Sequence, residues 1–189
     1  MHKDIILRIK NEFLIKNKLT VAIDGRAGSG KSALAKALSK EFDCNIFKTD
    51  DFFLPDGLRT PQRLSELGGN IDYDRFRAEI IDNIKLKKDF YYNKYDCGTG
   101  RFIRSGHIKY RPLNIVEGSY SMHDKFIDAY DLTVFLDVAY EEQLRRIENR
   151  DGAELLQRFI HEWLPMEEKY FKGMRIKEKA DVYKLTIGD

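Results

Sequence analysis

The eight residues from position 25 to position 32 have the types and the spacing of a phosphate-binding loop. They read G-R-A-G-S-G-K-S and fit the pattern G-x-x-x-x-G-K-[ST]. Glycines let successive backbone N–H groups face one anion, and the start of a following helix adds a partial positive charge. Lys31 can then reach the β- and γ-phosphates of a nucleoside triphosphate, and the Ser32 hydroxyl can bind Mg²⁺. ATP is the expected ligand, and its predicted site consists of Gly25, Arg26, Ala27, Gly28, Ser29, Gly30, Lys31, Ser32 and Ala33.

Acidic side chains follow three short apolar segments, at points where the strands of a parallel sheet would end. These residues are Asp50, Glu117 and Asp137. The carboxyl ends of parallel strands form the edge at which open α/β sheets bind ligands. A carboxylate there can hold a metal ion or take a proton from an attacking hydroxyl, which is worth about 10²–10⁴ in rate. We predict Asp50 as a catalytic and metal-binding residue, Glu117 as a second metal-binding residue beside Ser32, and Asp137 as a cap of the next helix.

Two arginines further along the chain could contact phosphate. Arg146 and Arg150 lie four residues apart, so a helix would place both on one face. Guanidinium groups at this spacing can clamp a phosphoryl group during its transfer. A solvated helix face would have the same spacing, and the spacing alone leaves both interpretations open.

A parallel sheet with helices on both faces would position these residues. Short apolar runs predict strands, and apolar residues at helical spacing predict helices between them. Phe159 and Trp163 are expected to pack against the sheet, with contact to the substrate as the alternative. The fold class is α/β, with a doubly wound, mainly parallel sheet in one domain over residues 1–189. The predicted strands are 20–24, 45–49, 114–117, 132–137 and 180–187, and the predicted helices are 3–16, 31–41, 74–88 with Asp74 as its N-cap, 140–150, and 154–170 with an interruption near Pro165.

Composition excludes several classes of protein. The 189 residues carry 33 basic and 31 acidic side chains, and a net charge of +2 argues against bulk electrostatic binding to nucleic acid. No apolar run approaches the ~20 residues that cross a membrane. Cys44 and Cys97 have neither a disulfide pattern nor a metal-binding spacing. We therefore expect a soluble, cytoplasmic protein with no nucleic-acid or membrane partner, and both a monomer and a homo-oligomer stay open.

Five segments together resemble the uridine kinase family, in that family's order. They are V-A-I-D-G-R-A-G-S-G-K-S at 21–32, T-D-D-F-F at 49–53, N-I-D-Y-D at 70–74, V-E-G at 116–118 and R-R-I-E-N-R-D at 145–151. The wider group includes phosphoribulokinase-like and pantothenate kinase-like enzymes. The resemblance implies a P-loop NTPase fold and transfer of the γ-phosphoryl group of ATP to a hydroxyl of a small molecule.

The same resemblance implies roles for individual residues. Asp50 would be the general base, and Asp72 would contact substrate hydroxyls. Arg146 and Arg150 would be phosphate-contacting arginines of a lid near 145–153. Tyr95 is similar to the tyrosine that opens the family's base-contacting segment, and it lies in an aromatic and glycine-rich stretch, 89–111, expected to form a hairpin or an excursion on the substrate side.

The sequence also departs from the family. Phe53 takes the place of a family tyrosine that follows the catalytic aspartate, and it is expected on the substrate side. The family histidine that follows its Tyr-Asp pair is absent, and the nearest histidine is His107. The leading acceptor is a nucleoside, with a sugar acid, a pantothenate-like compound or a vitamin riboside as alternatives. A hypothesis of a different class is a P-loop ATPase or switch that acts on a protein partner.

Overall fold

The computed structural model describes residues 2–186, and its centre is a five-stranded sheet in which all pairings are parallel. The strands in chain order are β1 (Leu19–Gly25), β2 (Cys44–Lys48), β3 (Asn93–Asp96), β4 (Arg101–Arg104), β5 (Leu113–Glu117), β6 (Leu132–Val138) and β7 (Val182–Thr186). The order in the sheet is β2-β5-β1-β6-β7, so β1 lies at the centre. Strands β3 and β4 form a separate antiparallel hairpin within 89–111.

Helices connect the parallel strands. They are α1 (Lys3–Lys16), α2 (Lys31–Glu41), α3 (Pro61–Ser65), α4 (Tyr73–Phe76), α5 (Asp82–Leu86), α6 (Tyr140–Asp151), α7 (Ala153–Arg158), α8 (Leu164–Gly173) and α9 (Ile176–Lys179). A π-helical turn, Arg77–Ile81, joins α4 to α5, and a second one, Phe159–Trp163, joins α7 to α8. Within residues 2–186, no helix is long and apolar enough to cross a membrane.

Each face of the sheet is covered by its own apolar cluster. On one face, Ile9 of α1 and Leu38 of α2 pack with Val21 and Ile115. The other face carries a largely aromatic cluster in which Phe47 and Tyr170 take part. Burial on both sides explains why the strand sequences are nearly continuous apolar runs rather than alternating ones. The predicted α/β, doubly wound, parallel fold is confirmed.

The structure corrects three details of the predicted elements. The helix after residue 70 begins at Tyr73, and Asp72 rather than Asp74 is its N-cap, because the Asp72 carboxylate accepts a hydrogen bond from the Arg75 N–H at 3.1 Å. The predicted interruption of the last long helix near Pro165 is present, but it precedes the proline: the π-helical turn Phe159–Trp163 separates α7 from α8, and Pro165 lies in the first turn of α8. The last strand ends at Thr186, and residue 187 of the prediction lies outside the described residues.

Candidate active site

The loop from Gly25 to Ser32 joins the end of β1 to the start of α2. Gly30 has φ +98°, which lets the chain turn sharply into α2. The first N–H groups of a helix have no partner within the helix, so they are available to an anion at this point. Lys31 folds back over the loop, where its ammonium donates to the carbonyl oxygens of Gly25 at 2.6 Å and of Arg26 at 2.9 Å.

A hydroxyl and two carboxylates lie next to the loop. The Ser32 hydroxyl donates to Glu117 Oε1 at 2.9 Å. Glu117 ends β5, and burial raises the pKa of its carboxyl. Asp50 lies in a short 3₁₀ turn, Thr49–Phe52, directly after β2. Within residues 2–186 its carboxylate makes no hydrogen bond or ion pair.

The protein around Asp50 partly shields its carboxyl from water. Solvent reaches the side chain through a cavity, but the protein around it raises its pKa above the ordinary value. The nearby Lys31 and Lys48 ammonium groups act in the opposite direction. A carboxylate with a raised pKa and no partner is suited to accept a proton from a bound hydroxyl.

One cavity of about 410 Å³ connects these groups. It begins at the loop and passes between the ends of β2 and β5 and the helices that follow β6. The predicted site residues that line it are Ala27, Gly28, Gly30, Lys31, Ser32, Ala33, Asp50, Phe53, Glu117, Arg146 and Arg150. The structure therefore brings the loop, the predicted general base, the predicted metal-binding residues and both arginines to one place.

The two arginines approach the loop from α6. Arg146 donates to the carbonyl oxygen of Gly28 at 3.1 Å, and Glu142 holds it at 2.6 Å. Arg150 pairs with Asp151 at 2.7 Å. Both line the cavity, so this face of α6 is not merely solvated.

Three solved structures share this fold. A candidate uridine kinase from Bacillus stearothermophilus is 19% identical, with 94% of this chain and 98% of that chain covered and a TM-score of 0.67. A candidate fructose transport system kinase from Silicibacter sp. TM1040 is 20% identical, with 88% and 89% covered and a TM-score of 0.70. YFH7 from Saccharomyces cerevisiae, a candidate P-loop kinase with a circular permutation, is 13% identical, with 98% of each chain covered and a TM-score of 0.67. No family model matches the sequence, and no curated protein matches it.

The fold is that of the uridine kinase-like P-loop kinases. At these identities, the likeness concerns the fold and leaves the reaction and the acceptor to be argued from the site.

Two predicted substrate-binding residues of this P-loop kinase fold lie away from the cavity. Asp72 caps α4 and pairs with Arg75 at 3.5 Å. Tyr95 is buried in the hairpin, where its ring packs against Phe102 at 5.4 Å. Neither residue lines the cavity, so their substrate contacts stay predictions.

Some residues of the predicted ATP site have side chains that bind other residues or that do not line the cavity. The Arg26 side chain pairs with Asp137 at 2.8 Å and with Glu168 at 2.7 Å, so only its backbone belongs to the loop's anion-binding surface. The prediction that Asp137 caps the next helix is wrong: the N-cap of α6 is Ala139, which has no side-chain cap, and Asp137 instead pairs with Arg26 and accepts a hydrogen bond from the N–H of Val138. Gly25 and Ser29 lie in the loop without lining the cavity.

Seven further residues line the cavity and were not predicted for the site: Asn70, Gly118, Ser119, Tyr120, Phe159, Trp163 and Glu167. The prediction that Phe159 and Trp163 pack against the sheet is wrong. Their rings meet edge to face, 4.5 Å apart, on the cavity wall. The π-helical turn Phe159–Trp163 carries both rings, and π turns are frequent at functional sites. The spacing of residues 159, 163 and 167 was the available signal, because it places a glutamate on the same helical stripe as two aromatic rings.

Glu167 lies in α8 and contacts the loop itself. Its Oε2 accepts a hydrogen bond from the Ala27 N–H at 3.1 Å, and its Oε1 accepts one from the Ser119 hydroxyl. Only 6% of the residue is exposed, and burial raises the pKa of its carboxyl. Residue type alone does not distinguish this glutamate from its neighbour Glu168, which pairs with Arg26 and Lys172 nearer the surface.

Proposed function

We propose that the protein is an ATP-dependent phosphotransferase that moves the γ-phosphoryl group to a hydroxyl of a small molecule, with a nucleoside as the leading acceptor. The observation that carries this proposal is the single cavity of about 410 Å³ in which the phosphate-binding loop faces the unpaired carboxylate of Asp50. The cavity is also lined by Phe53, Asn70 and Tyr120, which belong neither to the phosphate-binding loop nor to the proposed metal site, so it offers surface for an acceptor as well as for ATP.

The residues present fit ATP and Mg²⁺. The loop offers backbone N–H groups, the Lys31 ammonium and the Ser32 hydroxyl, which match phosphate oxygens and a hard cation. Ser32, Asp50 and Glu117 would hold the Mg²⁺. Within residues 2–186, no group of three or more His, Cys, Asp or Glu side chains could hold a metal ion by itself. Mg²⁺ in such sites is usually bound by one or two carboxylates together with phosphate oxygens and water, so this donor set is sufficient. When bound, the ion would neutralise charge on the β- and γ-phosphates.

The reaction requires one bond to form and one to break. The acceptor hydroxyl oxygen attacks the γ-phosphorus, the bond between the γ-phosphorus and the bridging oxygen breaks, and ADP leaves. Asp50 takes the hydroxyl proton. Lys31 stabilises the charge on the transferring group, and Arg146 and Arg150 add positive charge from α6. The rings of Phe159 and Trp163 form an apolar wall that helps to exclude water, which would otherwise compete as acceptor.

A nucleoside suits the other lining residues. Phe53, Tyr120 and Trp163 offer aromatic surfaces for a planar base, and ring stacking is worth about 0.5–1.5 kcal/mol beyond buried area. The resemblance to uridine kinases and the similarity to a candidate uridine kinase support the same acceptor. The chemistry requires a small-molecule partner and neither a nucleic acid nor a membrane.

Mass spectrometry of the products would test the function. The protein is incubated with ATP, Mg²⁺ and a pool of nucleosides and other hydroxyl compounds, and a product heavier by one phosphoryl group is expected. Release of only ADP and phosphate, at a rate that a cell extract increases, would favour the ATPase or switch hypothesis.

The variant Asp50→Asn tests the proposed base. We expect its turnover to fall by about 10²–10⁴ while ATP still binds, because an amide cannot accept the proton. The matched control is Asp51→Asn, since the Asp51 carboxylate is held by the Tyr92 hydroxyl at 2.9 Å and by Lys94 at 3.1 Å and does not line the cavity. Near-normal turnover of Asp50→Asn would overturn the assignment.

A further inference from the structure

The charges that line the cavity are divided between its two ends. The basic residues are Lys31, Arg146 and Arg150, and within residues 2–186 no other Lys, Arg or His lines it. Lys31 and Arg146 both donate to carbonyl oxygens of the phosphate-binding loop. All three cations belong to the loop or to α6, so the triphosphate takes up the positive charge of the cavity.

Three carboxylates line the same cavity, and two of them already have roles in the proposed reaction. Glu117 accepts the Ser32 hydroxyl at the metal end, and Asp50 is the base. The third, Glu167, has no role in binding the metal or in moving the proton. Its charge therefore bears on what else can enter the cavity.

The position of Glu167 connects the loop to the acceptor end. One oxygen accepts the Ala27 N–H, and the other accepts the Ser119 hydroxyl. Tyr120, the residue after Ser119, lies within the electrostatic reach of Glu167 and lines the cavity beside it. Burial raises the pKa of the Glu167 carboxyl, while the nearby Lys31 ammonium and the two hydrogen-bond donors directed at the carboxylate act in the opposite direction.

We propose that Glu167 makes the acceptor end of this cavity select hydroxyl compounds that carry no negative charge. The inference rests on the proposed kinase function and deepens it by naming the class of acceptor. An anionic acceptor would bring its charge close to Glu167 and Asp50, and the described lining of the cavity offers it no basic side chain beyond the three that face the triphosphate. Neutral and cationic acceptors meet no such repulsion. Of the alternatives that the sequence leaves open, a sugar acid and a pantothenate-like compound are excluded, whereas a nucleoside and a vitamin riboside remain.

Matched pairs of acceptors test this selection in the unaltered protein. The pool contains uridine with orotidine, pantothenol with pantothenate, and glucose with glucuronate, so that the members of each pair differ chiefly by a carboxylate. With ATP and Mg²⁺, phosphorylated products are expected only from neutral members, or from cationic hydroxyl compounds added to the pool. Phosphorylation of an anionic member at a rate equal to or above its neutral partner would overturn the inference and leave the kinase function standing. Absence of any phosphorylated product would overturn the proposed function and, with it, this inference.

The variant Glu167→Gln then identifies the selecting residue. We expect the ratio of kcat/KM for an anionic acceptor to that for its neutral partner to rise on the order of tenfold, because one close negative charge is removed. Glu168→Gln is the matched control, since Glu168 is the next residue of α8, pairs with Arg26 and does not line the cavity. A ratio within one variant is insensitive to a general loss of activity, so a purely structural role of Glu167 would leave it unchanged, and an unchanged ratio overturns the assignment. If Glu167→Gln does not fold, the matched pairs in the unaltered protein still decide the selection.

Discussion

Asp24, the last carboxylate before the phosphate-binding loop, links burial of charge at this site to the stability of the fold. Its side chain is 0% exposed. It accepts hydrogen bonds from the Gly25 N–H at 2.7 Å, the Met122 N–H at 2.9 Å and the Tyr170 hydroxyl at 2.8 Å. Burial nevertheless dominates and raises the pKa of Asp24 from 3.8 to about 6.

The raised pKa fixes the sign of the effect on stability. The folded state holds the proton more tightly than the unfolded chain, so the favourable contribution is fully present below about pH 3.8 and is lost as the pH rises through about 6. The interval of about two pH units corresponds to about 3 kcal/mol, at about 1.36 kcal/mol for each unit. The side chain of the variant Asp24→Asn does not titrate. Its NH₂ group replaces one of the two acceptor oxygens, so at least one of the three donors loses its hydrogen bond and the variant is less stable at acid pH.

Urea unfolding of both proteins between about pH 4 and pH 7 measures this contribution. At the acid end the unaltered protein should be the more stable one, and its advantage should shrink by about 3 kcal/mol toward neutral pH. Glu117 and the other buried carboxyls are present in both proteins, so their titrations cancel in the difference. Parallel curves for the two proteins would refute the reasoning, because they would mean that Asp24 is charged at the same pH in the folded and unfolded chains.

Two further predictions concern the loop and the metal. Gly25→Ala should lower the free energy of unfolding by about 2–5 kcal/mol, because Gly25 has φ +142° and an added Cβ would lie 2.0 Å from the Leu136 carbonyl oxygen. The control is Gly57→Ala, because nothing lies within 4 Å of a Cβ added there. Equal free energies of unfolding for the two variants, measured in urea, would contradict the expectation. Glu117→Gln should raise the Mg²⁺ concentration for half-maximal activity about 10–100-fold, because it weakens the site that Ser32 and Glu117 form. A Mg²⁺ titration at saturating ATP measures this concentration, and an unchanged value would show that Glu117 does not bind the metal.

The phosphate-binding loop could be predicted from the sequence because its chemistry depends on consecutive residues. The glycines, Lys31 and Ser32 act through the backbone turn that they share, so their spacing along the chain is also their spacing in space. The strands could be predicted for a similar reason, because a strand that is buried on both faces appears in the sequence as a short apolar run. Asp50 and Glu117 followed from the rule that parallel strands end at one edge.

Contacts between segments that are distant in the sequence could not be predicted in this way. Glu167 reaches Ala27 across 140 positions of the chain, and Ser119 across 48 positions. The identical neighbour Glu168 points elsewhere, so residue type alone could not separate the two. The cap of α4 was misplaced for a related reason: Asp72 and Asp74 are equally good caps by type, and the burial of Tyr73 and Phe76 fixes where the helix begins.

The register of the sheet determines how the base and the metal-binding residues meet. Lys48 at the end of β2 and Ile23 near the end of β1 both pair with Glu117 of β5. The residues that follow β1 and β2, the loop and Asp50, therefore leave the sheet on either side of Glu117. A slip of one residue in either pairing would turn every side chain of that strand to the opposite face, toward the other of the two apolar clusters. The apolar core thus holds the reacting groups in place, and it also holds α8, which carries Glu167, because Tyr170 of that helix is buried in the core and donates a hydrogen bond to Asp24 of β1.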